Sequence, residues 1–214
     1  GDRDASTLTP DDLVSYAKTR ADMGAGPYTI NMDISKLGTV MRLVSAALHI
    51  ELPDVVGKAR PLLNHLKLIG GGGKRERRPT EDELVRICHQ LETKRGKVYA
   101  DAVRFAVLTA MRRGEITGLL WGDLDAERRL VMVRDRKDPR EKLGNDQLVP
   151  LLNGAWELVQ GQVRSGERIF PIHPQTMSKY FTETCRELEI PDLHFHDLRH
   201  HGVSLLFEQG YRIE

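Results

Sequence analysis

Cysteine is almost missing from this chain: Cys88 and Cys185 are the only two, far apart and without metal-ligand spacing. A disulfide framework is excluded, and a reducing compartment, the cytoplasm, is the expectation. Long hydrophobic runs are missing too, none approaching the ~20 residues a membrane-spanning helix needs. The first residues, GDRDASTLTPDD, are polar and hold no apolar leader. An excess of one charge is also lacking. The 32 Lys and Arg nearly balance the 31 Asp and Glu, for a net charge of +1. Bulk charge therefore does not announce a nucleic-acid binder, and any such role must come from how the charges are distributed. No internal repeat is visible. What remains is an ordinary globular profile over 214 residues, 40% hydrophobic and 29% charged. That suffices for one or two domains with a sizeable core.

One composition break divides the chain. Gly70–Gly73 form a run of four glycines, followed by Lys74-Arg75-Glu76-Arg77-Arg78-Pro79. Polyglycine samples backbone conformations closed to other residues and makes a joint. The basic run fits either a solvated linker or a strap lying along phosphates.

Before the joint, residues 1–69 read as helical. Thr9-Pro10-Asp11-Asp12 is a helix start, with Thr9 as cap and Pro10 in the first position. This helix reaches about Ala21 and stops near Gly24-Ala25-Gly26-Pro27. A longer helix follows from about Tyr28 to His49, with an apolar face of Ile30, Ile34, Leu37, Met41, Val44 and Leu48. A third is expected over Val55–Leu68, bent or restarted at Pro61.

After the joint, residues 80–214 open with a capping box, Thr80-Glu81-Asp82-Glu83, and a helix to about Leu91. Further helices are expected over Lys97–Thr109 and Arg113–Leu120. Two strands, Arg129–Arg134 and Gln147–Leu152, flank a charged loop, Asp135–Asp146. Helices return over Asn153–Gln162, His173–Glu189 and His196–Gln209. The order describes a mainly helical domain with one small antiparallel sheet.

Three clusters carry potential chemistry. In Thr109-Ala110-Met111-Arg112-Arg113-Gly114-Glu115, two arginines sit at a helix junction beside an acid able to hold one in place. A guanidinium is always charged and its fork matches two phosphate oxygens. An exposed helix end with a Glu–Arg pair has the same sequence. In His194-Phe195-His196-Asp197-Leu198-Arg199-His200-His201, helical spacing puts His196, Arg199 and His200 on one face. A proton-handling imidazole beside a fixed cation suits phosphoryl chemistry. Paired zinc ligands and a helix-start His-Asp cap are the alternatives for this segment. The hairpin loop, Arg134 to Lys142, is nearly charge-balanced, which also fits a solvated tip. Lys137 is the best-placed residue in it to reach a DNA groove or donate a proton.

In this order the three clusters resemble those of the tyrosine recombinase family, the phage-type integrases. Thr109–Glu115 is similar to the family's first-arginine motif, with alanine at position 110 where glycine is usual. His196-Asp197-Leu198-Arg199 is similar to its His-x-x-Arg motif, and the 87-residue step from Arg112 to Arg199 fits. The resemblance spans nearly the whole chain, including the linker.

The resemblance implies a mainly α architecture in two parts. Residues 1–69 would be a helical core-binding domain of SAM-like type, N-terminally incomplete. Residues 70–79 would be a Gly-rich basic linker. Residues 80–214 would be a mixed α+β integrase catalytic domain with a small antiparallel sheet, C-terminally incomplete. The implied catalytic residues are Arg112, Lys137, His196 and Arg199, supported by Glu115. Lys74, Arg75, Arg77, Arg78, Arg136 and Arg140 would contact DNA. The implied activity is site-specific recombination of a phage or mobile element through a 3′-phosphotyrosyl intermediate, without metal or cofactor. The implied partners are double-stranded attachment sites, three further copies in a tetramer on DNA, and accessory DNA-bending or directionality proteins, in the bacterial cytoplasm and its nucleoid.

The family's nucleophilic tyrosine stands some thirty or more residues beyond His-x-x-Arg. Tyr211, 12 residues after Arg199, comes too early, so the nucleophile is expected beyond Glu214 and the chain as given is expected to be inactive in cleavage. A DNA-binding regulator that kept the fold, a type IB topoisomerase and a His-rich metal-binding protein are the competing readings.

Overall fold

The computed structural model describes residues 4–73, 75–136, 144–152 and 154–211. Contacts divide the chain into two compact units, Gly1–Lys74 and Arg75–Glu214, so the boundary falls at the end of the glycine joint.

The first unit holds α1 (Pro10–Asp22), α2 (Pro27–Leu48) and α3 (Val55–His65). Thr9 caps α1 as expected: its hydroxyl accepts from the Asp12 amide, and the Asp12 carboxylate accepts from the Thr9 amide at 2.9 Å. The core brings together Leu13, Ala17, Ile30, Ile34, Ala59 and Leu63. Two expectations are corrected here. Val44 and Leu48, placed on the buried face of α2 by their spacing, are 37% and 64% exposed. The burial of α2 ends at Met41, because its last turns run past the core formed with α1 and α3. Pro61 does not restart α3, which is continuous but ends at His65 rather than Leu68. Pro61 lies on the exposed face, where water can satisfy the carbonyl that its missing N–H leaves unpaired.

The second unit holds α4 (Glu81–Arg95), α5 (Lys97–Thr109), α6 (Arg113–Gly118), β1 (Leu124–Asp125), β2 (Leu130–Val133), β3 (Gln147–Pro150), α7 (Ala155–Gln160), α8 (Pro174–Glu187) and α9 (Asp197–Glu208). The Thr80–Glu83 capping box starts α4. That helix runs four residues past the expected Leu91, because no breaker intervenes before Gly96, whose φ of 105° only glycine adopts freely. The antiparallel sheet has three strands in the order β1-β2-β3, with Val131 opposite Val149 and Leu124 opposite Val131. Sequence patterning predicts two strands, and the third, β1, is a two-residue strand with no pattern of its own.

Helix α5 is the axis of this unit, packed against α4, α7 and α9. Its buried Phe105 meets Phe170, ring centres 5.0 Å apart. At Gly202, α9 crosses α5 so closely that an added Cβ would lie 2.3 Å from the Val107 carbonyl oxygen. This contact brings the first turn of α9 to the end of α5, where the first-arginine cluster begins. Among the described residues, no helix is long and apolar enough to cross a membrane.

Candidate active site

The site grows from the α5–α6 junction. Ala110 closes α5 with φ 51° and ψ 24°, in the left-handed region. The chain thereby reverses, buries Met111 and starts α6 with Arg112 in the cap position. The Arg112 amide donates to Glu115 Oε2 at 2.8 Å, and its Nη1 donates to Glu115 Oε1 at 2.8 Å. The Glu115 side chain keeps only 8% of its exposure. From the sheet, just beyond β2, Arg136 brings its Nε to 3.6 Å from the same Glu115 oxygen, and its Nη1 donates to Gln147 Oε1 at 2.8 Å. From α9, Arg199 donates to the Ala110 carbonyl oxygen. Burial holds the Arg199 pKa below its ordinary value; Arg112 and Arg136 push the same way, and Glu115 opposes them. Three guanidiniums from three elements thus gather around one carboxylate, which leaves the cluster short of negative charge.

Beside this cluster lies a cleft of about 350 Å³, lined by Arg112, Arg113, Ser178, His194, His196 and Arg199 among others. His196 caps α9. Partial burial lowers the His196 pKa, and so do His200, Arg199 and Arg112, against the opposing pull of Asp197. These surroundings favour the neutral imidazole, the form that can accept a proton. His200 meets the His196 ring edge-on at 5.1 Å and does not line the cleft itself. Among the described residues, no group of three or more His, Cys, Asp or Glu is placed to share a metal ion. Neither thiol is a nucleophile near pH 7: burial pushes Cys88 to about 11 and Cys185 to about 12.

The structure therefore brings Arg112, Glu115, Arg136, His196 and Arg199 together. Lys137, Arg140 and Lys74 lie outside the described residues. The remaining linker arginines, expected along phosphates, each have an acidic partner within the second unit. Arg75 binds Asp192 and Asp197. Arg77 pairs with Glu83. Arg78 donates to His201 Nδ1 at 3.4 Å and pairs with Glu208 at 3.1 Å. Arg75 and Arg78 find their acids, Asp192, Asp197 and Glu208, more than a hundred residues away, where neighbouring sequence gives no sign of them, whereas Arg77 finds Glu83 six residues on.

Two lining residues, Ser178 and Thr182, lie outside the clusters singled out by sequence. Arg113, adjacent to Arg112, donates to Ser178 Oγ on α8, and Thr182 lies one turn further along that helix. A Ser and a Thr on an amphipathic helix carry no signal in sequence. Arg113 was visible as the second of an arginine pair.

The chain belongs to the phage integrase family, the tyrosine recombinases: the family's model matches residues 77–214. A shufflon-specific DNA recombinase of Escherichia coli is 32% identical over 137 residues, covering 64% of this chain and 34% of that protein. The chain thus spans about a third of the length of this relative. A lambda integrase (75–356) dimer bound to a COC′ core site superposes with a TM-score of 0.77 at 20% identity, over 98% of this chain and 77% of that one. A lambda integrase tetramer bound to a Holliday junction gives 0.73 at 21% identity, over 96% of this chain and 61% of that one. At such identities these likenesses establish the fold.

Proposed function

We propose that this chain carries the core of a site-specific DNA recombinase that integrates or excises a phage or other mobile element. The observation that carries the reading is the cluster of Arg112, Arg136 and Arg199 around the single carboxylate of Glu115, with His196 in the adjoining cleft. Such a cluster suits a phosphodiester in its trigonal-bipyramidal transition state, where negative charge builds on the non-bridging oxygens. Fixed guanidiniums stabilise that charge without having to reorganise. Glu115 orients Arg112, and the Ala110 carbonyl orients Arg199.

In the proposed reaction a tyrosine oxygen attacks the scissile phosphorus and its proton passes to His196. The bond from phosphorus to the 5′ oxygen breaks, and Lys137 protonates the departing oxygen. The product is a 3′-phosphotyrosyl link and a free 5′-hydroxyl. Attack by the 5′-hydroxyl of a second duplex reverses the chemistry, so the link conserves bond energy and no nucleotide cofactor is consumed.

On this reading the first unit is a core-binding domain, the second is the catalytic domain, and the substrate is a duplex attachment site. Four copies assemble on the recombining DNA, just as the lambda integrase structure holds a tetramer on a Holliday junction. Arg136 and Arg140 contact phosphates near the scissile bond. The setting is the cytoplasm of a bacterium, at the nucleoid.

The test uses the full-length native protein and a labelled attachment-site duplex nicked beside the scissile phosphate. A protease-sensitive covalent adduct is expected on denaturing electrophoresis. Arg112→Ala and Arg199→Ala should each form it at least a hundredfold more slowly, a loss of about 3–4 kcal/mol of transition-state stabilisation. Both should still retard the duplex, since each contacts one phosphate among many. No adduct from the unaltered protein, or normal cleavage by either variant, would overturn the reading.

A further inference from the structure

The first arginine after the glycine joint, Arg75, is committed to the His196 segment. The Arg75 Nε donates to Asp197 Oδ1 at 3.0 Å and its Nη2 donates to Asp197 Oδ2 at 2.8 Å. The same guanidinium donates from Nη1 to Asp192 Oδ1 at 2.9 Å and from Nη2 to the Asp192 carbonyl at 2.8 Å. These four bonds leave a single donor, on Nη1, for any other ligand.

Asp197 is 1% exposed, and its Oδ2 also accepts from the His194 amide at 2.8 Å. Burial alone would raise the Asp197 pKa, but Arg75 and the His194 amide more than offset it, and the carboxyl stays ionised. Asp192 stands in the left-handed region with φ 48°, and Arg75 grips both its carbonyl and its carboxylate. Between these two aspartates the chain alternates: Leu193 and Phe195 are buried, while His194 and His196 face outwards. Core packing holds the segment from beneath, and Arg75 holds it from the side at both ends. His196 lies between two pinned neighbours, Phe195 and Asp197. Arg199 follows in the first turn of the helix that Asp197 opens.

We propose that Arg75 is a positioning residue of the recombination reaction: by clamping Asp192 and Asp197 it sets where His196 and Arg199 stand against the scissile phosphate, rather than binding DNA itself. This rests on the recombinase reading above. A phosphate ligand and a positioning residue fail in different ways. Losing a phosphate contact weakens DNA binding across all sequences and lowers the slope of log Kd against log salt by about one. Losing a positioning contact leaves binding intact and slows the chemical step, because small misplacements of reacting groups cost large factors in rate.

The experiment compares Arg75→Ala and Arg75→Lys with Arg112→Ala and the unaltered full-length protein. Single-turnover cleavage of the nicked duplex is followed at saturating protein, and DNA affinity is measured over a range of salt. Arg75→Ala should cleave at least tenfold more slowly while its far-UV circular dichroism, which reports folded protein, matches that of the unaltered protein. Its affinity should stay within twofold and its salt slope should be unchanged. Arg75→Lys, able to keep one or two of the four bonds, should fall between.

A salt slope reduced by one with a normal cleavage rate would make Arg75 a DNA ligand and overturn the proposal. Circular dichroism of a largely unfolded protein in both Arg75 variants, with a normal cleavage rate from the fraction that binds the duplex, would make it a fold-holding residue only, and would overturn it too. Normal cleavage by Arg112→Ala would instead sink the recombinase reading, and the inference with it. Inactive Arg112→Ala beside a fully active Arg75→Ala would sink the inference alone.

Discussion

Arg199 donates to the carbonyl oxygen of Ala110, the residue that ends α5 in the left-handed conformation. One backbone group thus does two things: it belongs to the reversal that starts α6, and it orients a guanidinium from α9. The conformation favours glycine, since an alanine Cβ at positive φ crowds the backbone. Ala110→Gly should therefore stabilise the protein by up to about 1 kcal/mol, the relief of strain being partly cancelled by the greater freedom of glycine in the unfolded chain. Urea unfolding of the two proteins checks the sign, and cleavage should be unchanged because the carbonyl remains.

Lys137 lies outside the described residues, but its proposed role can be isolated chemically. Lys137→Ala should cleave an ordinary duplex poorly and a duplex with a 5′-bridging phosphorothiolate well, because a thiolate leaves without a proton. Single-turnover rates on the two substrates measure this. Equal defects on both would show that Lys137 positions DNA, and would pass the proton-donor role to Lys142.

Gly202 is where α9 touches the backbone of α5. In Gly202→Ala the new methyl group would sit 2.3 Å from the Val107 carbonyl oxygen, so the helices must separate. A loss of about 1–3 kcal/mol in stability is expected. Cleavage should fall as well in the protein that remains folded, since Arg199 sits one turn before Gly202. Denaturant melts combined with single-turnover rates separate the two effects.

Acidification should destabilise the protein before any carboxylate titrates. Burial lowers the pKa of both His196 and His201; Arg78 adds to the effect at His201, and Glu208 opposes it. In the unfolded chain these histidines titrate near 6.5. Below that pH the unfolded state binds more protons than the folded one, so stability falls as pH drops from about 6.5 towards the folded-state values. Melting temperatures from pH 7.5 to 5 should show this decline, and His201→Asn should make it shallower. Cleavage should share the acidic limb, because His196 takes up a proton only when neutral. A melting temperature unchanged between pH 7 and 5.5 would contradict both shifts.

The sequence by itself determined what depends on residues a few positions apart. Thr9 with Asp12 and Thr80 with Glu83 start their helices through bonds between near neighbours, so their places were readable in advance. So were both ends of α5, set by Gly96 and by the turn at Ala110. Arg112 and Glu115, three residues apart, carry their ion pair in their spacing. Only the tertiary structure decided the rest. The spacing of Val44 and Leu48 says that α2 has an apolar face, but whether its last turns are covered depends on where α1 and α3 stop. Arg136 reaches Glu115 only because the sheet carries it there. Arg75 reads as one charge in a basic run until folding brings Asp197, 122 residues distant, within 3 Å of it. A helix cap or an ion pair one turn apart forms wherever its helix forms. A contact between distant residues exists only once the core has fixed the elements that bear them, and a charge shows which of its possible partners it has when that partner arrives.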